Sequence, residues 1–386
     1  LPPLWGIPFS VKNSIDVKGH PTTMACESFA YTPAQNAPVV DRVLVAGGIL
    51  IGCTNLDQFA TGLVGHRSPY GTPRSVFDSD YTSGGSSSGS AVSVGGRLVS
   101  FSIGTDTAGS IRVPAAYNGL VGLKPTLGLI STTGLVPACK LADCVCVLAT
   151  TVADAKVVFD VVKWYDEEDD YSREALPTPE VWPAKLRLGV PPEDLLEVLS
   201  PAYASLFSEA VSKLEELGCG TSPFDYSPFE AANRMLYGAS LVAQRLVAFK
   251  AYISVHGLEL LHPSIRSIFE SSAGFSATQA YEDMFTLKRH TNRVARQFRE
   301  HIDVLVVPST VTHFTISEID EDPIGRNKVL GSFTHFVNLT DLCAIAIPAG
   351  TWRNPKGNLM PFSITLIAPA GRDNDIMRLA EKFMQS

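Results

Sequence analysis

Ser83 to Ser90 read S-G-G-S-S-S-G-S, and from Gly104 to Pro114 the chain reads G-T-D-T-A-G-S-I-R-V-P. Ordered apolar patterns press in on the first segment from both sides, so a flexible Gly/Ser linker does not fit it. Gly85 to Gly89 formally matches a G-x-S-x-G elbow centred on Ser87. The elbow needs an apolar strand directly before it, whereas Phe77 to Gly85 (FDSDYTSGG) is a polar loop. Gly-rich backbone amides also favour anions, but no G-K-[ST] sequence occurs to make a phosphate cradle. What remains is chemistry carried by the serines. A serine hydroxyl is a poor nucleophile until a base takes its proton. Upstream, Lys12 stands in V-K-N-S-I-D-V after I-P-F. Burial there would favour the neutral amine, a proton acceptor; on this segment alone a surface charge at a strand end fits equally well.

The rest of the composition narrows the field. The chain has 386 residues, 45% apolar and 18% charged, with 30 Gly and 26 Pro, the profile of a globular protein with a large core and many turns. A net charge of -8 without a clustered Lys/Arg surface argues against a nucleic-acid partner. No apolar run is long enough to span a bilayer, so no membrane partner is expected. Seven cysteines (26, 53, 139, 144, 146, 219 and 343) lack C-x-x-C pairs and sit mostly in apolar contexts. They read as free thiols of a reducing, cytoplasmic compartment. Eight scattered histidines form no H-x-x-x-H or H-E-x-x-H motif, so neither metal nor cofactor is expected. The chain opens on Leu1 in L-P-P-L-W-G-I-P-F, which reads as a piece excised from something longer.

Short apolar runs alternate with helical patterns: GIPFSVK, VVDRVLVAG, ILIGCT and VSFSIGTDT. That alternation predicts an α/β fold, a large mixed, mostly parallel sheet covered by helices on both faces. A polar break is expected from Trp164 to Arg187, around D-E-E-D-D and P-T-P. A helical middle follows over about 202–302, and the buried-strand patterns DVLVVP (303–308) and CAIAIP (343–348) rejoin the sheet. The organisation expected is therefore one domain over 1–386. A homodimer is the base-rate expectation.

These motifs together resemble the amidase signature family, with its Gly/Ser-rich stretch and downstream G-x-D-x-[GA]-G-S-[IV]-R-x-P. The similarity spans nearly the whole chain, including TNLDQFATG (54–62), GLVGLKPTLG (119–128) and MPFSITLIAP (360–369). Ser88 and Ala108 stand where many members have Gly. The resemblance implies the amidase-signature fold and a Ser-Ser-Lys triad. Lys12 would be the general base, Ser86 the bridging serine and Ser110 the nucleophile, with Ser86 and Ser110 at the family's spacing of 24. Backbone N–H groups of Thr107, Ala108, Gly109 and Ser110 would then hold the oxyanion. Asp106 and Arg112 read as loop-fixing groups.

Within that family the chain is most similar to the allophanate hydrolases of urea degradation. The similarity lies in the triple serine, the T-D-T-A-G-S loop, KPTLGLISTTGLVPAC (124–139) and GSFTHFVNLTDLCAIAIPAG (331–350). The implied reaction is release of ammonia from a small carboxylated urea derivative, urea-1-carboxylate, through an acyl-enzyme. Its carboxylate calls for a cation. FSATQAYEDMFTLKRHTNR (275–293) resembles the region where allophanate hydrolases place a Tyr and an Arg for that carboxylate, which assigns Tyr281 and Arg289; on a helix they stand about 12 Å of rise apart and offset by roughly 80°, so long side chains could converge on one ligand. Gly62 adds a backbone contact. The alternatives are an amidase acting on aryl or fatty amides, the glutaminase subunit of a tRNA-dependent amidotransferase, and a non-catalytic amidase-like binding module.

Overall fold

The computed structural model describes residues 1–174, 176 and 181–386. The Pro-Thr-Pro of the expected break, residues 177–179, lies outside them. Among the described residues ten strands run in chain order as β1 Pro8–Lys12, β2 Ile49–Thr54, β3 Phe101–Asp106, β4 Val121–Lys124, β5 Cys144–Ala149, β6 Arg187–Gly189, β7 Gly220–Thr221, β8 Val304–Pro308, β9 Leu342–Arg353 and β10 Leu359–Pro369. All of them join one sheet, in the order β2-β1-β3-β5-β4-β9-β10-β8-β6-β7.

The sheet is mixed, as expected, but it is not mostly parallel. Parallel pairing is confined to the flanks, β2-β1-β3 on one side and β8-β6-β7 on the other. Every pair from β3 through to β8 is antiparallel. Two features invert the centre. β3 and β4 are joined through the short helix Arg112–Tyr117 and run the same way, as a crossover unit should. β5 then returns between them, antiparallel to both. β9 and β10 are joined by a short turn at Asn354–Asn358, where the Asn354 N–H donates to the Asn358 carbonyl at 3.0 Å, and a connection that short permits only antiparallel pairing.

Why the strands are strands is clearest at β5. Its six residues CVCVLA are all buried, the continuous apolar run of a strand covered on both sides. Val145, Val147 and Ala149 pack in one cluster with Val152, Ala155 and Phe159 of the helix Val152–Val162. Cys144, Cys146 and Leu148 pack in another with Ala91 and Val94 of the helix Ser88–Gly95. Helices therefore cover both faces. The expected helical middle appears as a series of helices from Pro201–Glu216 to Ala277–Glu300, interrupted by β7. After it, DVLVVP and CAIAIP return to the sheet as β8 and the first half of β9. Among the described residues no helix is long and apolar enough to cross a membrane.

Candidate active site

Lys12 is the last residue of β1, and Thr105 and Asp106 end the neighbouring parallel strand β3. Parallel units place reactive groups at such carboxyl ends, where the chain leaves the sheet. Lys12 is fully buried, and its Nζ donates to Ser86 Oγ at 2.8 Å and to Thr105 Oγ1 at 2.7 Å. Burial pulls its pKa down from 10.5 to about 8, against the opposing pull of Asp57, Asp106, Cys146 and Asp143. Both direct partners are neutral hydroxyls, so no carboxylate in contact locks the amine as an ammonium.

The Gly/Ser segment is fixed by its backbone. The Gly85 N–H donates to the Leu63 carbonyl at 2.9 Å, the Asp57 N–H to the Ser86 carbonyl at 3.2 Å, and the Ser87 N–H to the Ser110 carbonyl at 3.2 Å. A Cβ on Gly85 would stand 2.1 Å from Asp57 Oδ2, so only glycine fits beneath Ser86. Ser87, the centre of the G-x-S-x-G match, points its Oγ into the backbone and donates to the Thr105 carbonyl at 3.0 Å.

Asp106 organises the loop that carries Ser110. Its carboxylate accepts from the Gly109 N–H at 2.7 Å and the Ile111 N–H at 3.2 Å, and it meets Arg112 through Nε at 3.0 Å and Nη2 at 2.9 Å. Burial pushes this carboxyl up, but Arg112 and the Gly109 N–H outweigh it and hold the group at about 2. Arg112 continues to the Thr334 carbonyl and Asn338 Oδ1, and Thr334 Oγ1 returns a hydrogen bond to the Ala108 carbonyl. Thr107 Oγ1 donates to Asp143 Oδ1 at 2.6 Å. The Gly109 N–H, expected among the oxyanion donors, is taken by Asp106, because Gly109 turns at φ +117 and aims its N–H back into the loop. Among the described residues the N–H groups of Thr107, Ala108 and Ser110 make no hydrogen bond, nor does Ser110 Oγ.

The expected carboxylate ligands are not at this site. Tyr281 is 68% exposed, and Arg289 is exposed and bonds Thr286 Oγ1 on its own helix. The reason is amphipathicity: the helix Ala277–Glu300 buries Leu287, Val294, Gln297 and Phe298 and turns Tyr281 and Arg289 outward. Another pair with the same spacing is formed by Tyr237, half-buried, and Arg245, buried. Arg245 is 1% exposed, its Nε donates to Thr61 Oγ1 at 3.1 Å and its Nη2 reaches the Tyr237 hydroxyl at 3.4 Å. Among the described residues its Nη1 is buried without a hydrogen-bond partner. Thr61 and Gly62 belong to the same loop as Leu63, whose carbonyl holds Gly85, and the helix Ser227–Gly238 packs its Met235 and Leu236 in one cluster with Ala108. His335 meets the Tyr237 ring edge-on at 5.4 Å and is kept neutral by burial, at about 4. A sequence signal for Arg245 existed: it is a lone cation in LVAQRLVAF, whereas Arg289 stands among Lys288, His290 and Arg293.

The amidase family profile matches residues 1–377 of this chain. The chain belongs to the amidase family. It is 40% identical over 392 residues to the urea amidolyase of Saccharomyces cerevisiae, covering 100% of this chain and 21% of that protein. The crystal structure of Kluyveromyces lactis allophanate hydrolase superposes with a TM-score of 0.93 at 40% identity, over 100% of this chain and 62% of that one. A glutamyl-tRNA(Gln) amidotransferase subunit of Symbiobacterium thermophilum is 32% identical over 412 residues, covering 98% of this amidase and 82% of that protein. This amidase thus spans about a fifth of the length of the urea amidolyase it matches.

Proposed function

We propose that this amidase releases ammonia from urea-1-carboxylate (allophanate). Ser110 Oγ attacks the terminal amide carbonyl while Ser86 passes its proton to the neutral amine of Lys12. The same relay returns a proton to the departing nitrogen, which leaves as ammonia, and water then hydrolyses the acyl group from Ser110. The 2.8 Å approach of Lys12 Nζ to Ser86 Oγ and the lowered pKa of Lys12 support the relay: once Lys12 is neutral, its lone pair can accept from the Ser86 hydroxyl. The unengaged N–H groups of Thr107, Ala108 and Ser110 are the oxyanion donors, and losing one such donor typically costs about 3–4 kcal/mol in barrier.

The single observation that carries the substrate class is Arg245. A guanidinium cannot shed its charge by deprotonating, so a buried one with an unpartnered Nη1 calls for an anionic partner. We assign it, with Tyr237, to the substrate carboxylate in place of Arg289 and Tyr281. Likeness to allophanate hydrolase and urea amidolyase supports the same choice. The likeness to an amidotransferase component supports glutamine as the second reading, since glutamine also carries a carboxylate. A cytoplasmic setting is supported by seven cysteines that are all free thiols. The test is ammonia release from urea-1-carboxylate, glutamine and a simple aryl amide, with Ser110→Ala as control. Turnover of urea-1-carboxylate alone is expected; turnover of glutamine without urea-1-carboxylate contradicts the proposal.

A further inference from the structure

Resting on the reading that Arg245 binds the substrate carboxylate, we infer that Thr61 is the residue that positions it. The hydroxyl of Thr61 is committed on both sides: it donates to the Phe59 carbonyl at 2.9 Å and accepts from Arg245 Nε at 3.1 Å. With its proton spent on Phe59, Thr61 Oγ1 offers Arg245 only a lone pair, which orients the guanidinium by one fixed edge. Nε is held there, Nη2 faces Tyr237, and Nη1 is the donor left for a ligand.

The turn that carries Thr61 is itself held from several directions. Phe59 and Ala60 both adopt left-handed backbone, at φ 53 and 51, a conformation that residues with a side chain keep only where their surroundings impose it. Here they do. The Phe59 N–H donates to the Met24 carbonyl at 2.9 Å, and its ring stacks on Phe249 with centroids 4.0 Å apart. On the other side a second buried arginine, Arg67, donates from Nη1 to the Thr61 carbonyl at 3.1 Å and from Nη2 to the Pro323 carbonyl at 2.6 Å. Its own N–H is fixed by Asp57 Oδ1 at 2.9 Å. Asp57 is the residue whose N–H holds the Ser86 carbonyl. One short loop therefore sets both the bridging serine, through Asp57, and the carboxylate cation, through Thr61. That common mount fixes the distance between the reacting carbonyl and the far end of the substrate, the quantity a small rigid acid is selected by.

The experiment compares Thr61→Val, which keeps the shape and removes the hydroxyl, with Thr61→Ser, which keeps the hydroxyl. The readout is the ratio of kcat/KM for urea-1-carboxylate to kcat/KM for biuret, its uncharged amide isostere. Thr61→Val is expected to lower that ratio about tenfold, chiefly through KM for the carboxylated substrate, and Thr61→Ser to stay near the wild-type ratio. Equal ratios in the two variants, or a Thr61→Val ratio equal to wild type while Arg245→Gln collapses it, would overturn the assignment of Thr61. A wild-type enzyme with no preference for urea-1-carboxylate over biuret would overturn the carboxylate reading of Arg245 itself, and with it this inference.

Discussion

The proposed function gives two buried cations, Lys12 and Arg245, opposite parts. Lys12 ends a strand and meets two hydroxyls, and its pKa falls to about 8, so it can exist as a neutral base. Arg245 lies on the short helix Gln244–Ala248 and meets a hydroxyl on either edge, but its charge is permanent and one nitrogen is unpaired. On the proposed reading, the same degree of burial makes a proton acceptor where the side chain can lose its charge and an anion receptor where it cannot. Position follows the same division: Lys12 ends a strand of the sheet, and Arg245 lies in the helical layer.

The widest separation of the two roles is expected from Lys12→Met. Removing the base should lower kcat on carboxylated and uncharged amides alike, by about 10²–10⁴-fold, with KM little changed. Steady-state kinetics on urea-1-carboxylate and biuret checks this, and a loss confined to urea-1-carboxylate would merge the two roles. Next in size is the pH dependence. The neutral fraction of Lys12 grows tenfold per pH unit below about 8, so kcat/KM should climb with unit slope and level off above that value. Stability carries the matching sign. The folded pKa lies below the ordinary lysine value of 10.5, so the cost of burying the ammonium is present in full below about pH 8. It is relieved as pH rises from there towards 10.5, and unfolding midpoints should rise across that window. The smallest effect belongs to Arg289→Gln, on an exposed side chain bonded only within its own helix; its kcat/KM should stay within about twofold of wild type.

The two cations also differ in how far they can be read without coordinates. The segment around Lys12 alone fits a surface charge equally well, and it is the family resemblance that singles out Lys12 with Ser86 and Ser110; the structure brings Lys12 Nζ to 2.8 Å from Ser86 Oγ. Tyr237 and Arg245 have the same eight-residue spacing as Tyr281 and Arg289, so spacing alone could not choose between them. Burial separates them: Arg245 is 1% exposed on the helix Gln244–Ala248, and the local hint of it is that it stands alone in LVAQRLVAF, whereas Arg289 has Lys288, His290 and Arg293 beside it. The sheet shows the same limit. Runs such as CVCVLA announce a buried strand, but nothing local says that β5 will insert between β3 and β4 and reverse the centre of the sheet. Gly109 is a third case: the motif marks the loop, while the carboxylate of Asp106 decides which of its N–H groups are free.

The most direct measurement is the kcat/KM ratio of urea-1-carboxylate to biuret in Arg245→Gln beside wild type. Truncating one partner of a buried charge pair costs about 2–5 kcal/mol, so the ratio should collapse by about 30-fold or more. A ratio in Arg245→Gln equal to that of wild type would contradict the account.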